Sequence, residues 1–350
     1  MRWDEQRVEN DLRLPGVGDG TVVRTFDAPE AMGINFHEVR ARSALNHVPG
    51  SRYGFSWTVN PFRGCSHACT YCFARKTHSF LDFGPGRDFE REIVVKVNVP
   101  EMLRAELRRP SWRRELVALG TNTDPYQWVE SRYRLMPEIL EALEAAQTPV
   151  TVLTKSPLVL RDIEIFERMA KKLPVSVNLS VPTLDEKAWR ATEPHTPSPA
   201  ARLDAVAELR ARGIDSGVLI APLMPGINDD PDQVQPIVER AKAANASFLT
   251  GLALHLRGEV KDVFFGWLET KRPDLLPQYE GLYKGRAYMR PEDRRQTTRA
   301  LKGWGRSRAT TSRKAAPRTG GADLGDRHSP VASGGGTKSA TGPARQEPLF

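Results

Sequence analysis

The sequence predicts an α/β protein built from parallel β-strands. From about Gly54 onward, short apolar runs rich in β-branched residues alternate with segments of helical periodicity. Such alternation produces βαβ units, because parallel strands need a crossover connection. Several of the runs are almost continuously apolar, as in strands covered on both faces. Five or six units fit either an open, doubly wound sheet or a barrel, and the pattern leaves both open.

The predicted elements follow one another in a regular order. A strand near 56–60 comes first. Proline marks several later helix starts, where its missing N–H costs little, and glycine marks a helix end, where it adopts the left-handed conformation. Examples are Pro100, Pro157, Pro199, Pro231 and Gly213. The other predicted strands, with the helices that follow them, are 92–97 with 100–109, 115–120 with 135–146, 150–154 with 158–171, 175–181 with 199–212, 217–221 with 232–243, and the strand 247–254.

The composition indicates no membrane span and no export signal. The 350 residues contain no apolar run of about 18 residues. The first ten residues are charged and lack the apolar core of a signal peptide, so we expect a cytoplasmic protein. Most of the net charge of +8 belongs to the last 50 residues, which hold nine basic and three acidic side chains. The charge alone therefore does not indicate that the folded part binds nucleic acid.

The three cysteines of the chain stand together as C-x3-C-x2-C, at Cys65, Cys69 and Cys72. Three thiolates on one short segment can bind three corners of a [4Fe–4S] cluster, which normally takes four, and so leave one iron open to a ligand. A zinc site completed by His67 or His78 is one alternative, although zinc sites usually combine paired C-x2-C units or distant histidines. A disulfide with one spare thiol is another, and it would suit a secreted protein.

The cysteine spacing, with Tyr71 before the last cysteine, resembles the signature of the radical S-adenosylmethionine (SAM) superfamily. The resemblance implies a [4Fe–4S] cluster whose open iron holds SAM and whose electron cleaves SAM to methionine and a 5′-deoxyadenosyl radical. It implies an external one-electron donor of the flavodoxin or ferredoxin type. It also selects a partial (β/α)6 barrel over an open sheet, with the cysteines at the carboxyl ends of the strands, where barrel active sites lie.

A more specific resemblance is carried by seven segments, which are 60–78, 88–90, 95–98, 123–127, 153–156, 197–199 and 224–229. They are similar to the branch of the superfamily related to spore photoproduct lyase, often described as DNA-repair-photolyase-like, over about residues 35–300. The lyase uses a further cysteine as hydrogen donor, which this chain lacks, so that reaction is not expected in that form; Tyr126 or another tyrosine is an alternative donor. Nucleic acid is one expected substrate class. The alternatives are a peptide, a small molecule, or a non-catalytic iron–sulfur or zinc protein.

The resemblance also implies SAM contacts at the ends of two strands. Thr123 and Asp124 follow a predicted strand and would accept hydrogen bonds from the SAM ammonium group; a plain turn is the alternative. Lys155 ends the next strand, where it would pair with the SAM carboxylate or an acidic substrate unless it is simply solvated.

Three more SAM contacts are expected on neighbouring segments. Asn178 and Ser180 lie on one face of a predicted strand, because strand side chains alternate, and would reach the ribose or sulfonium unless that face packs against helices. Tyr71 would lie beside the adenine, with a surface tyrosine as the alternative. His67 and His78 are expected to contact the cluster or substrate, as hydrogen-bond donors rather than as ligands. Arg63 and Arg75 flank the cysteines and would raise the reduction potential of the cluster or attract an anionic substrate, unless they are solvated.

The C-terminal part combines basic and aromatic residues. The segment 271–308 contains Tyr279, Tyr283, Tyr288 and Trp304. This combination suits single-stranded or flipped-out nucleic acid. At helical spacing the same aromatic side chains would pack the last helix onto the barrel, which is the interpretation we favour.

Composition divides the chain into four expected regions: an N-terminal arm at 1–50 with a short strand at 21–26, the barrel at 51–260, a helical extension at 261–304, and a disordered basic tail at 305–350. The tail ends in Gln346, Leu349 and Phe350, which resemble the Gln-x-x-Leu-Phe peptide that docks bacterial repair and replication proteins on the DNA sliding clamp. A flexible tether with two apolar anchors suits such a ligand, which makes the clamp an expected partner; a chance match to a short motif is the alternative.

Overall fold

The computed structural model describes residues 22–49 and 54–301, together with the backbone of residues 7–8. The predicted docking peptide and Trp304 lie outside these residues. The strands are β1 (Arg7–Val8), β2 (Val22–Arg24), β3 (Asn35–Val39), β4 (Leu45–His47), β5 (Trp57–Val59), β6 (Phe62–Arg63), β7 (Glu92–Lys96), β8 (Val117–Leu119), β9 (Val150–Thr154), β10 (Val175–Ser180), β11 (Val218–Leu223) and β12 (Leu249–Ala253).

The helices alternate with these strands along most of the chain. Within the described residues, none is long and apolar enough to cross a bilayer. The α-helices are α1 (Asp88–Arg91), α2 (Val99–Leu107), α3 (Glu130–Tyr133), α4 (Leu135–Ala145), α5 (Ile163–Ala170), α6 (Glu186–Thr192), α7 (Pro199–Ala211), α8 (Pro231–Ala243), α9 (Val260–Lys271), α10 (Leu276–Leu282) and α11 (Pro291–Thr297).

The larger sheet contains seven strands in the order β12-β11-β10-β9-β8-β5-β4. Every pair from β5 to β12 is parallel, and β4 joins the edge antiparallel to β5. The described strands β4 and β12 are not paired with each other, so the sheet is open. Six parallel strands with intervening helices confirm the predicted α/β fold of the partial-barrel type.

The strand predicted at 92–97 forms, as β7, but in a different sheet from the one expected. It lies in a five-stranded sheet of order β1-β2-β3-β7-β6, parallel to β3 and antiparallel to β6. The prediction that it belongs to the main parallel series was wrong. A short apolar run shows that a strand is buried but not which neighbour it pairs with, because pairing depends on residues far away in the sequence. The short strand predicted at 21–26 is confirmed as β2.

The starts of α7 and α8 agree with the predicted boundaries, and a side chain caps each of these helices. Ser198 accepts a hydrogen bond from Ala201 N (3.2 Å) at the start of α7, and Asp230 accepts one from Asp232 N (2.9 Å) at the start of α8. The segment predicted as one helix at 158–171 begins instead as a 3-10 helix, Pro157–Asp162, before α5. Helices α2, α4, α7 and α8 lie within two residues of the predicted bounds.

The two faces of the larger sheet differ in chemistry. The face under the helices is apolar, and Val150, Val152, Val175 and Val177 belong to the main hydrophobic core there. Strand side chains alternate, so the opposite, inner face carries the residues between them. These inner-face residues include Thr151, Ser176, Asn178, Ser180 and, on β12, Leu252. The prediction that Asn178 and Ser180 share a face is therefore confirmed, and that face is not the one packed on helices.

The C-terminal helices pack through two tyrosines. Tyr279 and Tyr283 are fully buried, and their hydroxyls donate to Pro225 O (2.9 Å) and Leu254 O (2.7 Å). They belong to a second apolar cluster that also contains Cys69. The packing interpretation is thus confirmed for these two residues, whereas Tyr288 remains 42% exposed.

Two glycines with positive φ, Gly120 and Gly213, test how closely β9 approaches the end of β8. A Cβ on Gly120 (φ +83°) would lie 1.8 Å from Leu153 O, whereas one on Gly213 (φ +74°) would meet nothing within 4 Å. We expect Gly213→Ala to cost about 1–2 kcal/mol of unfolding free energy from backbone strain alone. Gly120→Ala should cost more than about 4 kcal/mol, because the backbone of β9 must also move. Urea unfolding of both variants measures this, and similar losses would contradict the close approach of the two strands.

Candidate active site

The loops that leave the parallel strands meet at the carboxyl edge of the larger sheet. The segment after β8 reaches the segment before the cysteines, where Thr123 Oγ1 donates to Phe62 O (3.0 Å). The cysteine loop, defined here as residues 64–72, then runs into a 3-10 helix, Phe73–Thr77. Its far end is fixed to the end of α6, because Thr70 N donates to Thr192 O (3.0 Å). The segment with the cysteines is thus attached to two distant parts of the chain.

The three thiols share a buried environment. Cys65 and Cys69 are buried and Cys72 is half-buried. Burial, together with the charge of Asp124 and the neighbouring thiols, raises the pKa of Cys65. Burial likewise raises the pKa of Cys69 and Cys72. The site therefore favours thiolates only when a cation is bound to compensate their charge, as iron does.

The donor set fits an iron–sulfur cluster. Thiolates are the soft ligands that select such clusters or zinc. Within residues 22–49 and 54–301, no three His, Cys, Asp or Glu side chains converge on one point as a single metal ion would require. Thiolates on a cubic cluster bind different irons, so Cys65, Cys69 and Cys72 need not converge.

Arg75 binds the backbone of the cysteine loop through its guanidinium group. Its guanidinium donates to Cys69 O (2.9 Å) and Ala68 O (3.0 Å), and on its other side to Gly86 O (2.6 Å). It also pairs with Glu90 at 3.0 Å and is only 3% exposed. Of the two sequence interpretations of Arg75, the solvated one is wrong. Five donors in a rigid fork suit this bridging of carbonyls, which a lysine could not reproduce.

Gln127 holds the same loop from the side of β8. Its side-chain oxygen accepts from Ser66 N (3.0 Å), and its amide nitrogen donates to Gly64 O (3.1 Å). Gln127 is fully buried. One side-chain amide thus supplies hydrogen-bond partners to two backbone groups of the loop. These bonds fix the loop before any ligand binds.

Asp124 joins three segments. Its Oδ1 accepts from Thr154 Oγ1 (2.6 Å) and Tyr126 N (2.9 Å), and its Oδ2 accepts from Lys155 N (2.7 Å). His67 Nδ1, on the cysteine loop, lies 3.4 Å from the same Oδ2. Both carboxylate oxygens are therefore engaged within the protein.

The polar centre of the site is a buried carboxylate, Glu193, which the sequence did not single out. It is fully buried after α6, 2.9 Å from Lys155 Nζ and 2.8 Å from the guanidinium of Arg202. The Tyr71 hydroxyl donates to it as well. Lys155 Nζ also donates to Ser180 Oγ (2.7 Å). We call these five residues the Glu193 cluster.

Electrostatics holds the Glu193 cluster in its charged form. Burial would raise the pKa of Glu193, but Arg202 and Lys155 outweigh burial and lower it to about 2. Burial and the negative charge of Glu193 raise the pKa of Tyr71. The Tyr71 hydroxyl therefore stays protonated and donates a hydrogen bond to the carboxylate. Arg202 is itself anchored by bonds to Ser180 O (2.9 Å) and Pro197 O (2.8 Å).

The structure brings together most of the side chains predicted to contact SAM. Tyr71, Lys155 and Ser180 meet in the Glu193 cluster, and Asp124 adjoins them through Lys155 N. Asn178 lies one step below on the inner face, where its Oδ1 accepts from Gly217 N (3.0 Å) of the neighbouring strand segment. Sequence analysis gave no role to Gln127, although it lies in the segment 123–127, and did not identify Glu193 or Arg202, since no motif marks these two residues.

Comparison with known proteins identifies the family. Residues 59–235 match the radical SAM superfamily. An uncharacterized protein from Mycobacterium tuberculosis H37Rv is 46% identical over 301 residues, covering 84% of this chain and 88% of the relative. An uncharacterized protein from Methanocaldococcus jannaschii is 27% identical over 198 residues, covering 56% of this chain and 70% of that protein.

Solved structures of similar fold include spore photoproduct lyase. Its complex with dinucleoside spore photoproduct gives a TM-score of 0.56 at 17% identity, covering 76% of this chain and 78% of that one. A double mutant of the same enzyme with bound S-adenosylmethionine and dinucleoside spore photoproduct gives the same TM-score of 0.56, at 17% identity and the same coverage. At this identity the likeness concerns the fold.

The Glu193 cluster predicts a defined loss of stability in acid. The lowered pKa means that the stabilisation is complete above the ordinary glutamate pKa of 4.5 and disappears as the pH falls towards 2. We expect Glu193→Gln to lose about 3–5 kcal/mol of unfolding free energy at pH 7, because the fully buried Arg202 and the half-buried Lys155 lose their counter-ion. The difference in unfolding free energy between wild type and Glu193→Gln should be about 2 kcal/mol smaller at pH 3 than at pH 7.

Urea unfolding at both pH values measures that gap. The control is Glu186→Gln, which removes an exposed pair with Arg190 and should cost less than about 1 kcal/mol at pH 7. Equal losses for the two variants at pH 7, or a gap that does not change with pH, would contradict a charged Glu193 at the centre of the site.

Proposed function

The chain belongs to the radical SAM superfamily, and we propose that Cys65, Cys69 and Cys72 bind a [4Fe–4S] cluster whose fourth iron holds SAM. Enzymes of this superfamily use that cluster and SAM to generate a 5′-deoxyadenosyl radical, which abstracts a hydrogen atom from the substrate. The observation that carries the proposal is the buried cysteine loop at the carboxyl ends of the strands, held by Arg75 and Gln127. The required electron comes from an external donor of the flavodoxin or ferredoxin type.

We assign the SAM ammonium group to the loop after β8. Asp124 was expected to accept from it, but both of its carboxylate oxygens already bind protein donors. In the same loop, Asn122 Oδ1 is buried and has no hydrogen-bond partner among the described residues. A buried acceptor without a donor is costly, and an ammonium group supplies one. Thr123 donates its hydroxyl proton to Phe62 O and keeps lone pairs to accept beside Asn122.

We assign the SAM carboxylate to Lys155. A lysine ammonium has three protons. Two of them point to Glu193 (2.9 Å) and Ser180 (2.7 Å), which leaves the third for a carboxylate at the mouth of the site. The Tyr71 ring, whose centroid lies 5.6 Å from Lys155 Nζ, supplies the aromatic wall on which we place the adenine. The amide oxygen of Asn178 already accepts a hydrogen bond from Gly217 N. We therefore propose that Asn178 lines the site beneath the ribose and does not bind it through this oxygen.

Nucleic acid is the substrate class that we propose. The support is the similarity in fold to spore photoproduct lyase, which has been solved with a dinucleoside spore photoproduct, together with the sequence segments that resemble its branch. Tyr126, the alternative hydrogen donor, is fully buried and donates to Asp162 Oδ2 (3.0 Å), so it does not reach a substrate. A donor other than Tyr126 and other than cysteine must quench the product radical.

Anaerobic reconstitution tests the proposed chemistry. We expect about four irons per chain, the broad absorption of an iron–sulfur cluster, and SAM-dependent release of 5′-deoxyadenosine with a chemical reductant. Cys69→Ala should lose the iron and the absorption while its circular dichroism spectrum remains that of the wild type. A wild-type protein that binds one zinc per chain and releases no 5′-deoxyadenosine would overturn the proposal. Stimulation by a peptide but not by DNA would overturn only the substrate class.

Asn122 offers a separate test of SAM binding. Asn122→Leu keeps the shape but removes the acceptor, and should weaken SAM binding about 10- to 100-fold, as expected for one hydrogen bond to a charged group. Asn122→Asp keeps an acceptor and should bind SAM at least as well as wild type. Equilibrium dialysis of the reconstituted proteins measures both affinities, with iron content as the check on the cluster. Equal affinities for the Leu and Asp variants would rule out Asn122 as the acceptor.

A further inference from the structure

Three aromatic rings form a continuous stack beside the cysteine loop. Phe73, which directly follows Cys72, has its ring centroid 6.0 Å from that of His255, with an interplanar angle of 29°. His255 follows β12, and its ring lies 5.4 Å from that of Tyr288 at an angle of 13°. The backbones of His255 and Tyr288 are joined by an antiparallel bridge, so the outer ring is held in place. We call these three residues the rim stack.

The rim stack ends at solvent. Phe73 is its end nearest the cysteines, and Tyr288, at the other end, is 42% exposed. The nearby inner face of β12 carries Leu252, which is 45% exposed. The neighbouring tyrosines of the C-terminal segment, Tyr279 and Tyr283, are fully buried and bonded. Packing therefore accounts for those two but not for Tyr288.

Two positive charges act on the middle ring of the stack. Burial lowers the pKa of His255, and the positive charges of Arg257 and Lys76 lower it further. The imidazole is therefore neutral at pH 7, and two cationic side chains lie near it. Proteins bind single-stranded nucleic acid with two elements: planar rings, which stack on the bases, and cations, which attract the phosphates. Both elements occur here.

We propose that Tyr288 extends the rim stack to an unpaired base of single-stranded or locally opened nucleic acid, with backbone phosphates towards Lys76 and Arg257. A base in that position continues a row of rings that begins next to the proposed cluster ligand Cys72. The inference rests on the proposed function and deepens it, because it assigns the substrate to strands with an unpaired base. A duplex cannot stack in this way, since its bases already stack on one another.

Binding of a defined probe tests the rim stack. The probe is a fluorescein-labelled oligothymidylate of about ten nucleotides, within the ~4–16 nucleotides of known single-strand sites, and anisotropy gives its Kd on the reconstituted protein. We expect Tyr288→Ala and Tyr288→Leu to weaken binding about 5- to 100-fold, the effect of losing one stacked base. Tyr288→Phe keeps the ring and should stay within about twofold of wild type.

A charge variant tests the phosphate contact independently. Arg257→Gln should lower the slope of log Kd against log salt by about 0.7, the value for one phosphate contact on a single strand. Arg104→Gln removes an exposed arginine from α2, on the outer helical layer, and should leave the slope unchanged. Circular dichroism and iron content show whether each variant is folded and loaded.

Three outcomes would overturn the inference. They are absence of oligothymidylate binding by the wild type, equal Kd values for wild type and Tyr288→Ala, and equal or tighter binding of a duplex of the same length. Failure here is distinguishable from failure of the proposed function. Release of 5′-deoxyadenosine by the wild type without nucleic acid tests the SAM chemistry alone, and the anisotropy measurement does not depend on turnover.

Discussion

The site depends on one constraint: a carboxylate with no access to water must be surrounded by cations and donors. Glu193 meets it with Lys155, Arg202 and the Tyr71 hydroxyl. These partners come from the cysteine loop, the end of β9 and helix α7, so satisfying one buried charge fixes the relative position of three segments. Removing Lys155 or Arg202 would take a counter-charge from this carboxylate in a medium of low dielectric constant, which is far more costly than losing a surface ion pair.

The protein orders its cysteines without using the thiols themselves. Arg75 and Gln127 bind backbone atoms of the loop, and Thr70 N is tied to the end of α6. The thiols stay protonated in their buried setting and are left to the metal, which supplies the compensating charge. This division of labour suits a cluster with an open iron, since the loop does not need a fourth ligand to hold its shape. In the function we propose, Asn122 and Lys155, which follow β8 and β9, bind the SAM that this iron holds.

Several sequence interpretations failed where distance along the chain hid the partner. The run at 92–97 was expected in the main parallel series but pairs with β3 and β6, because apolarity reports burial and not pairing. Tyr126 had the chemistry of a hydrogen donor, yet its hydroxyl is bound to Asp162 inside the core. The aromatic residues of the C-terminal segment were treated as one group. The structure separates Tyr279 and Tyr283, which pack, from Tyr288, which faces solvent.

The sequence by itself determined the α/β fold class, because strands alternating with helices are a local pattern. Its three cysteines at fixed spacing also carried the resemblance that implies the radical SAM reaction class. That resemblance also implied Tyr71, Lys155 and Ser180 as contacts of one ligand, and the structure places the three side chains together. Only the tertiary structure decided that Glu193 and Arg202 join them. Their partners are set by the three-dimensional path of α6 and α7, and a single buried charge leaves no periodicity in the sequence. The three cysteines indicate a metal-cluster site, but long-range packing determines which polar groups surround that site.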